Sequence, residues 1–188
     1  KIDDFGCIQH DKHHSLGASP DGINTDISSK LYGRMLEIKN IVNRIINGVP
    51  KMEYWIQMQL QMEVCNLNEC DFLETKFLEY DDYTAFKNDG TFNKTIENNQ
   101  KGVFMLFMKE NKPHYEYPPV NISEEEFLKW ENEIMEKNIN IPWVKNVYWN
   151  LHTFSCVLVL RNKPWFKQAV DKIKNTWKII ENERIDGY

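Results

Sequence analysis

LYGRMLEIKN, Leu31 to Asn40, decides the fold. It ends in the alternation Leu36-Glu37-Ile38-Lys39, and a period of two sends Glu37 and Lys39 to one face of a strand and Leu36 and Ile38 to the other. One face of such a strand is core and the other carries chemistry or solvent. Upstream, LGASPDGI (Leu16 to Ile23) contains Ser19-Pro20-Asp21-Gly22, the composition of a type I turn with Pro second and Gly fourth. Gly6 to His10 and Leu16 to Ser19 are short apolar stretches that predict two strands before this turn. Downstream, Pro50 precedes KMEYWIQMQLQMEVC, which lacks Gly and Pro and predicts a helix from about Glu53 to Cys65. Trp55, Met58, Met62 and Cys65 follow helical spacing as its core stripe, while Tyr54, Gln57 and Gln61 form a polar line on another side.

The rest of the chain extends the sheet and adds helices. Asp71 to Tyr80, Val103 to Lys109 and Tyr148 to Arg161 read as strands, the last long and rich in β-branched residues. Ser123 followed by three glutamates caps a helix running to about Lys137, its acidic residues suiting the positive end of the helix dipole. Lys163 to Glu183 is a closing helix whose stripe of Phe166, Ala169, Val170, Ile173, Trp177 and Ile180 is expected to pack onto the sheet. Its lysines read as a solvated face. Asp81 to Lys101 is polar and expected to be loop-rich.

At 188 residues and 41% hydrophobic, the chain fits a single α/β domain spanning residues 1–188. Lys+Arg 23 against Asp+Glu 28 gives a net charge of −5, which excludes a surface that is basic throughout, so any nucleic-acid contact is local. No apolar run reaches roughly 18 residues and no signal-peptide pattern is present, so the expectation is a soluble, intracellular protein with no membrane partner. The four cysteines, Cys7, Cys65, Cys70 and Cys156, form no CxxC and read as reduced thiols. Cys7, His10, His13 and His14 have metal-ligand residue types, but HDKHH reads better as a polar loop than as a zinc site.

The chemistry emerges when the pieces are set in order: Asp21 at a turn between strands, Glu37 and Lys39 two apart on one strand face, then a helix with an inward Gln57. A Glu-x-Lys pair alone is commonplace. In this order it is the PD-(D/E)xK nuclease pattern. GASPDGI, LEIKN and YWIQMQLQMEV together resemble the lambda exonuclease family, in particular the YqaJ-type viral recombinase branch of phages and large DNA viruses. YWNLHTFSCVLVLRNKPWF resembles the closing strand and helix of the large-virus members.

The resemblance implies a restriction-endonuclease-like core, a central mixed β-sheet flanked by helices, and phosphodiester hydrolysis. It casts Asp21 and Glu37 as carboxylate ligands of Mg²⁺, for which Mn²⁺ can substitute, with the backbone carbonyl of Ile38 completing the protein's share of the shell. Lys39 would orient or deprotonate the attacking water and offset phosphate charge. Gln57, matching the family's helix glutamine, would bond the water or phosphate. Ser19 would contact phosphate, and Tyr54 and Gln61 would shape the same substrate pocket. The implied activity is a 5′-to-3′ exonuclease on double-stranded DNA ends in recombination and repair, with a single-strand annealing protein as partner and a homotrimer as assembly. An endonuclease on the same core and a catalytically silent DNA-binding or assembly protein stay open as alternatives. Family members carry helices before the first strand, and none is seen before Lys1, so the expectation is a domain lacking N-terminal helices of the full-length protein. The cysteine cluster of the iron–sulfur relatives is missing, so no iron–sulfur cluster is expected.

Overall fold

In a computed structural model that describes residues 1–187, the elements run β1 (Ile2–Asp3), β2 (Ile8–Gln9), β3 (Gly17–Ala18), β4 (Gly22–Asn24), β5 (Met35–Asn40), α1 (Met52–Val64) and β6 (Glu69–Glu79). Then follow α2 (Tyr83–Asn88), β7 (Lys101–Lys109), β8 (Lys112–Glu116), α3 (Glu124–Lys137), β9 (Trp143–Leu160) and α4 (Lys163–Asp186). A seven-stranded sheet has the order β1-β4-β5-β6-β9-β7-β8, and β2 pairs with β3 as a separate ribbon. β5 and β6 are sheet neighbours joined through α1, the crossover of a parallel pair, whereas β1–β4, β4–β5, β7–β8 and β7–β9 are antiparallel. This is the mixed, helix-flanked sheet expected of a restriction-endonuclease-like core. No helix among the described residues is long and apolar enough to cross a membrane.

The chain folds into two compact units. Among the described residues the first comprises 1–39, 45–74 and 155–187. Its core is Met35, Met58, Met62, Cys70, Phe72 and Val159. α1 begins where Lys51 is extended and ends at Cys65, after which Asn66 turns left-handed at φ 52°. Met58 and Met62 are fully buried as the helical spacing requires, while Trp55 and Cys65 are half-buried, Trp55 with its ring edge-on to Trp165. Gln59 is also buried. Its amide donates to the Leu160 carbonyl at 3.0 Å and its oxygen accepts from the Asn162 N–H at 2.5 Å, so it pins the β9–α4 junction. Arg161 adds an ion pair to Glu63 at 2.7 Å, with side chains 7% and 16% exposed.

α4 departs from expectation. Pro164 sits in its first turn and Asn162 caps the Trp165 N–H at 2.9 Å. The helix meets α1, and Phe166 packs against the rings of His10 and His13 in the loop after β2. The residues of its stripe beyond Phe166 are only half-buried. In that loop His10 Nδ1 accepts the Lys12 N–H at 3.0 Å, and no group of three or more His, Cys, Asp or Glu among the described residues is arranged to hold a metal. All four cysteines are free thiols.

The second unit comprises residues 40–44 and 75–154. Met105, Phe107 and Ile134 form its core with Trp130 and Ile141 packed alongside. The capping box expected from Ser123 is present, Glu126 N–H donating to the Ser123 hydroxyl at 3.2 Å and Ser123 N–H to the Glu126 carboxylate at 2.9 Å. Two elements were not expected. β8 pairs with β7 through a two-residue turn, Glu110-Asn111, both at positive φ. It is the edge strand, where Pro113 is tolerated. α2 forms inside the polar stretch because Asp82 caps the Ala85 N–H at 2.8 Å.

Candidate functional site

Every residue singled out by the motifs lies in the first unit. β4 and β5 are antiparallel with Gly22 opposite Leu36 and Ile23 opposite Met35. One more step in that register sets Asp21 opposite Glu37, and directly opposed side chains on one sheet face stand about 4.5–5.5 Å apart at Cβ. Asp21 Oδ2 accepts the Ile38 N–H at 2.6 Å, which fixes the turn against β5. A Cβ at Gly22 would lie 2.4 Å from Ile2 Cγ2 on β1, so a larger residue there would have to displace the Ile2 side chain. The turn and the carboxylate are therefore one device, with the Ile2 side chain of β1 packed against Gly22.

Glu37 is the centre. Its side chain is 1% exposed, and an isolated carboxylate so placed would be costly. Three donors satisfy it. Gln57 donates to Oε1 at 2.7 Å and Gln61 to Oε2 at 2.8 Å, while the Lys39 ammonium makes a close ion pair with Oε1. The burial pattern of β5 corrects the simple division into a core face and a chemical face. Met35 and Glu37 are the buried pair, whereas Leu36 is half-buried and Ile38 is 37% exposed. Glu37 lies on the core face, under α1.

The polar line on α1 is aimed at this carboxylate. Gln57 and Gln61 both hold Glu37, and Gln61, only 4% exposed, also reaches the Ser19 carbonyl at 3.4 Å. Gln61, expected among the substrate contacts, is buried as a tie between Glu37 and the backbone just before Asp21. Tyr54 is half-buried, its ring 5.9 Å from that of Phe72 and beneath two ammonium groups, Lys39 Nζ at 5.4 Å and Lys51 Nζ at 6.0 Å. Ser19 is exposed beside the turn.

Two groups went unnoticed in the sequence. Cys70 is fully buried, and its thiol is pushed up to about 12, first by burial and then by the negative charges of Glu37, Asp71 and Asp21. Glu74, 1% exposed on β6, alternates with Phe72 and so shares the α1 side of the sheet. FLETK reads as an ordinary half-polar strand, and nothing in its spacing marks this second buried acid.

The donor set suits a hard dication. Asp21 and Glu37 offer carboxylate oxygens and Ile38 a backbone carbonyl, and a magnesium ion held by few protein oxygens keeps several waters or phosphate oxygens. Lys39 supplies a positive charge at the solvent edge of the same carboxylate, its side chain 24% exposed.

Comparison with known proteins agrees with the geometry. An uncharacterized protein of Acanthamoeba polyphaga mimivirus is 31% identical over 218 residues, an alignment that takes in 96% of this chain and 39% of that protein. The chain thus spans about two fifths of the length of this large-DNA-virus relative. Residues 1–68, the stretch that supplies Ser19, Asp21, Glu37, Ile38, Lys39, Tyr54, Gln57 and Gln61, match the YqaJ-like viral recombinase domain, a family of nuclease and recombination proteins.

Proposed function

We propose that residues 1–188 act as one nuclease domain that hydrolyses phosphodiester bonds of DNA with a divalent metal, as a 5′-to-3′ exonuclease on double-stranded ends during recombination and repair. The observation that carries this reading is the buried Glu37 carboxylate, set opposite Asp21 and bonded by Lys39, Gln57 and Gln61. A strand face built only for stability has no use for a desolvated carboxylate that needs three side chains to satisfy it. End preference, polarity, an annealing partner and a homotrimeric assembly follow from the resemblance of GASPDGI, LEIKN and YWIQMQLQMEV.

Asp21, Glu37 and the Ile38 carbonyl would hold Mg²⁺ or Mn²⁺. When bound, the ion supplies a nucleophilic water near neutral pH and neutralises charge on the reacting phosphate. The chain's own residues do the rest. Gln57 and Gln61 hold the Glu37 carboxylate in one orientation, which a flexible glutamate on an exposed strand would lack. Lys39, between Glu37 and the Tyr54 ring, is placed to orient the attacking water, and either, as a neutral amine, to take its proton or, as an ammonium, to offset the phosphate charge. Ser19 at the exposed lip suits a phosphate contact.

The test incubates linear and covalently closed circular duplexes with Mg²⁺, Mn²⁺ or EDTA, comparing the parent with Asp21→Asn and Lys39→Ala. Metal-dependent loss of linear DNA alone, abolished in both variants, is the expected result. Cutting of closed circles makes it an endonuclease, and equal activity in the Lys39 variant removes the reading.

A further inference from the structure

The second unit carries a surface that the nuclease chemistry does not use. Along β7 the residues alternate sharply: Val103, Met105 and Phe107 are buried, whereas Gly102, Phe104 and Leu106 are half-buried on the opposite face. That opposite face is aromatic. Phe104 has Tyr115 at 5.7 Å and Tyr117 at 5.4 Å between ring centres, and Trp149 meets Phe77 edge-on at 5.3 Å. Tyr117 is 66% exposed, Phe77 46% and Tyr115 45%. Trp149 lies directly opposite Gly102, and a Cβ on Gly102 would sit 2.8 Å from the indole, so the glycine lets the ring lie down on the strand.

Between Trp149 and Tyr117 opens a cavity of about 220 Å³. Its outer wall, Pro118 to Ile122, is stiffened by two prolines and a left-handed Asn121 at φ 62°, so the cavity is preformed. The volume is below the roughly 300–1,000 Å³ of drug-sized ligand sites and suits a single planar heterocycle. No aspartate or glutamate lines it, in a chain with 28 acidic residues, and Gln100 and Asn121 line it with amides of the kind that meet base edges. Lys145, opposite Leu106, is paired with Glu79 at 3.4 Å, and Lys101, which lines the cavity, donates its ammonium to the Phe86 and Asp89 carbonyls.

We propose that this face binds unpaired single-stranded DNA, one base entering the cavity beside Trp149 and its neighbours stacking on Tyr117, Phe104 and Tyr115. Stacking accepts any base and needs an unpaired π-face, which a duplex does not present. An acid-free aromatic cleft avoids repelling phosphates, and with few lysines engaged the affinity depends only shallowly on salt. The inference goes beyond the nuclease reading and does not require it, because binding is measured with the metal removed.

The experiment follows fluorescence anisotropy of a labelled oligo(dT) with the full 188-residue chain in EDTA. Four oligonucleotide arms are compared: oligo(dT), an abasic strand of equal length, a blunt duplex, and oligo(dT) at raised salt. Expected are binding of oligo(dT), at least about fivefold weaker binding by Tyr117→Ala, retention by Tyr117→Phe, and loss of affinity for the abasic strand. Tyr117 is mostly exposed, so its alanine variant is expected to fold, and circular dichroism confirms that it has. Overturning results are unchanged affinity in Tyr117→Ala, or equal affinity for the abasic strand or the duplex. A Tyr117→Ala change that alters self-association but not oligo(dT) binding also overturns the proposal, by assigning the face to a second copy of the chain.

Discussion

Glu37 and Lys101 are two buried charges, one in each unit, and their surroundings differ in kind. Lys101 is 3% exposed, its ammonium donating to the carbonyls of Phe86 and Asp89 at 2.5 Å each and lying 4.1 Å above the Phe86 ring. Burial lowers its pKa, with the charge of Asp89 working against that. Its partners are main chain and ring, held by the end of α2, and nothing about them can be exchanged. Glu37 is satisfied wholly by side chains, two neutral amides that fix its orientation and one ammonium at the solvent edge. On the proposed reading, a bound dication would share that carboxylate with the ammonium without disturbing the backbone. A buried charge caged by carbonyls reads as architecture, whereas one clamped by replaceable side chains reads as a site.

The sharpest way to break this contrast is to neutralise each group. Glu37→Gln is expected to cut metal-dependent DNA hydrolysis by about a thousandfold or more, since a hard ligand is lost. Its urea midpoint should hold or rise, because a desolvated charge goes with it. Lys101→Met should do the reverse: two buried carbonyls lose their donor, costing about 3 kcal/mol, with hydrolysis per folded molecule unchanged. If Glu37→Gln unfolds the chain as badly as Lys101→Met does, the distinction fails. Gln61→Ala belongs between them, with hydrolysis reduced about ten- to a hundredfold as the carboxylate loses one of its two orienting amides. A divalent-metal titration by calorimetry should show weakened binding, and unchanged metal affinity would make Gln61 a packing residue only.

How much of this was legible beforehand depends on whether the signal was local. The period of two in LEIKN, the Ser-Pro-Asp-Gly turn and the Gly-free run after Pro50 are local, and β5, the Asp21 turn and α1 stand where they imply. The polar line of Gln57 and Gln61 was visible as a line, but its target was not, since only the packing of α1 over β5 brings both amides to Glu37. For the same reason the alternation named the two faces of β5 and not which one is buried. Glu74 was hidden because its neighbours Leu73 and Thr75 make it an ordinary strand residue until the burial is seen. β8 was missed because its pairing depends on a two-residue turn, Glu110-Asn111, weaker than Asn-Gly, and on a proline allowed only at an edge. The packing of α4 against His10 and His13 had no pattern to announce it, because a stripe states that a helix face is covered and not by what.

That helix contact gives the smallest effect. The half-buried His13 ring lies 4.7 Å from His10 and 5.8 Å from Phe166. Burial lowers its pKa first, and the positive charges of Lys174, His10 and Lys12 lower it further, while Glu63 opposes. Glu63 is already engaged by Arg161. A folded-state pKa below the ordinary histidine value of about 6.5 means that the unfolded chain takes up the proton first as pH falls. This contribution is therefore complete above about pH 6.5 and drains away beneath it, levelling off once the folded form is protonated as well. Since the carboxylates of the whole chain also respond to acid, the informative quantity is a difference of differences. The fall in thermal midpoint between pH 7.5 and pH 5.5 should be smaller in His13→Phe, which keeps the ring against Phe166 and cannot charge, and an equal fall in both proteins would show that this ring carries no pH dependence.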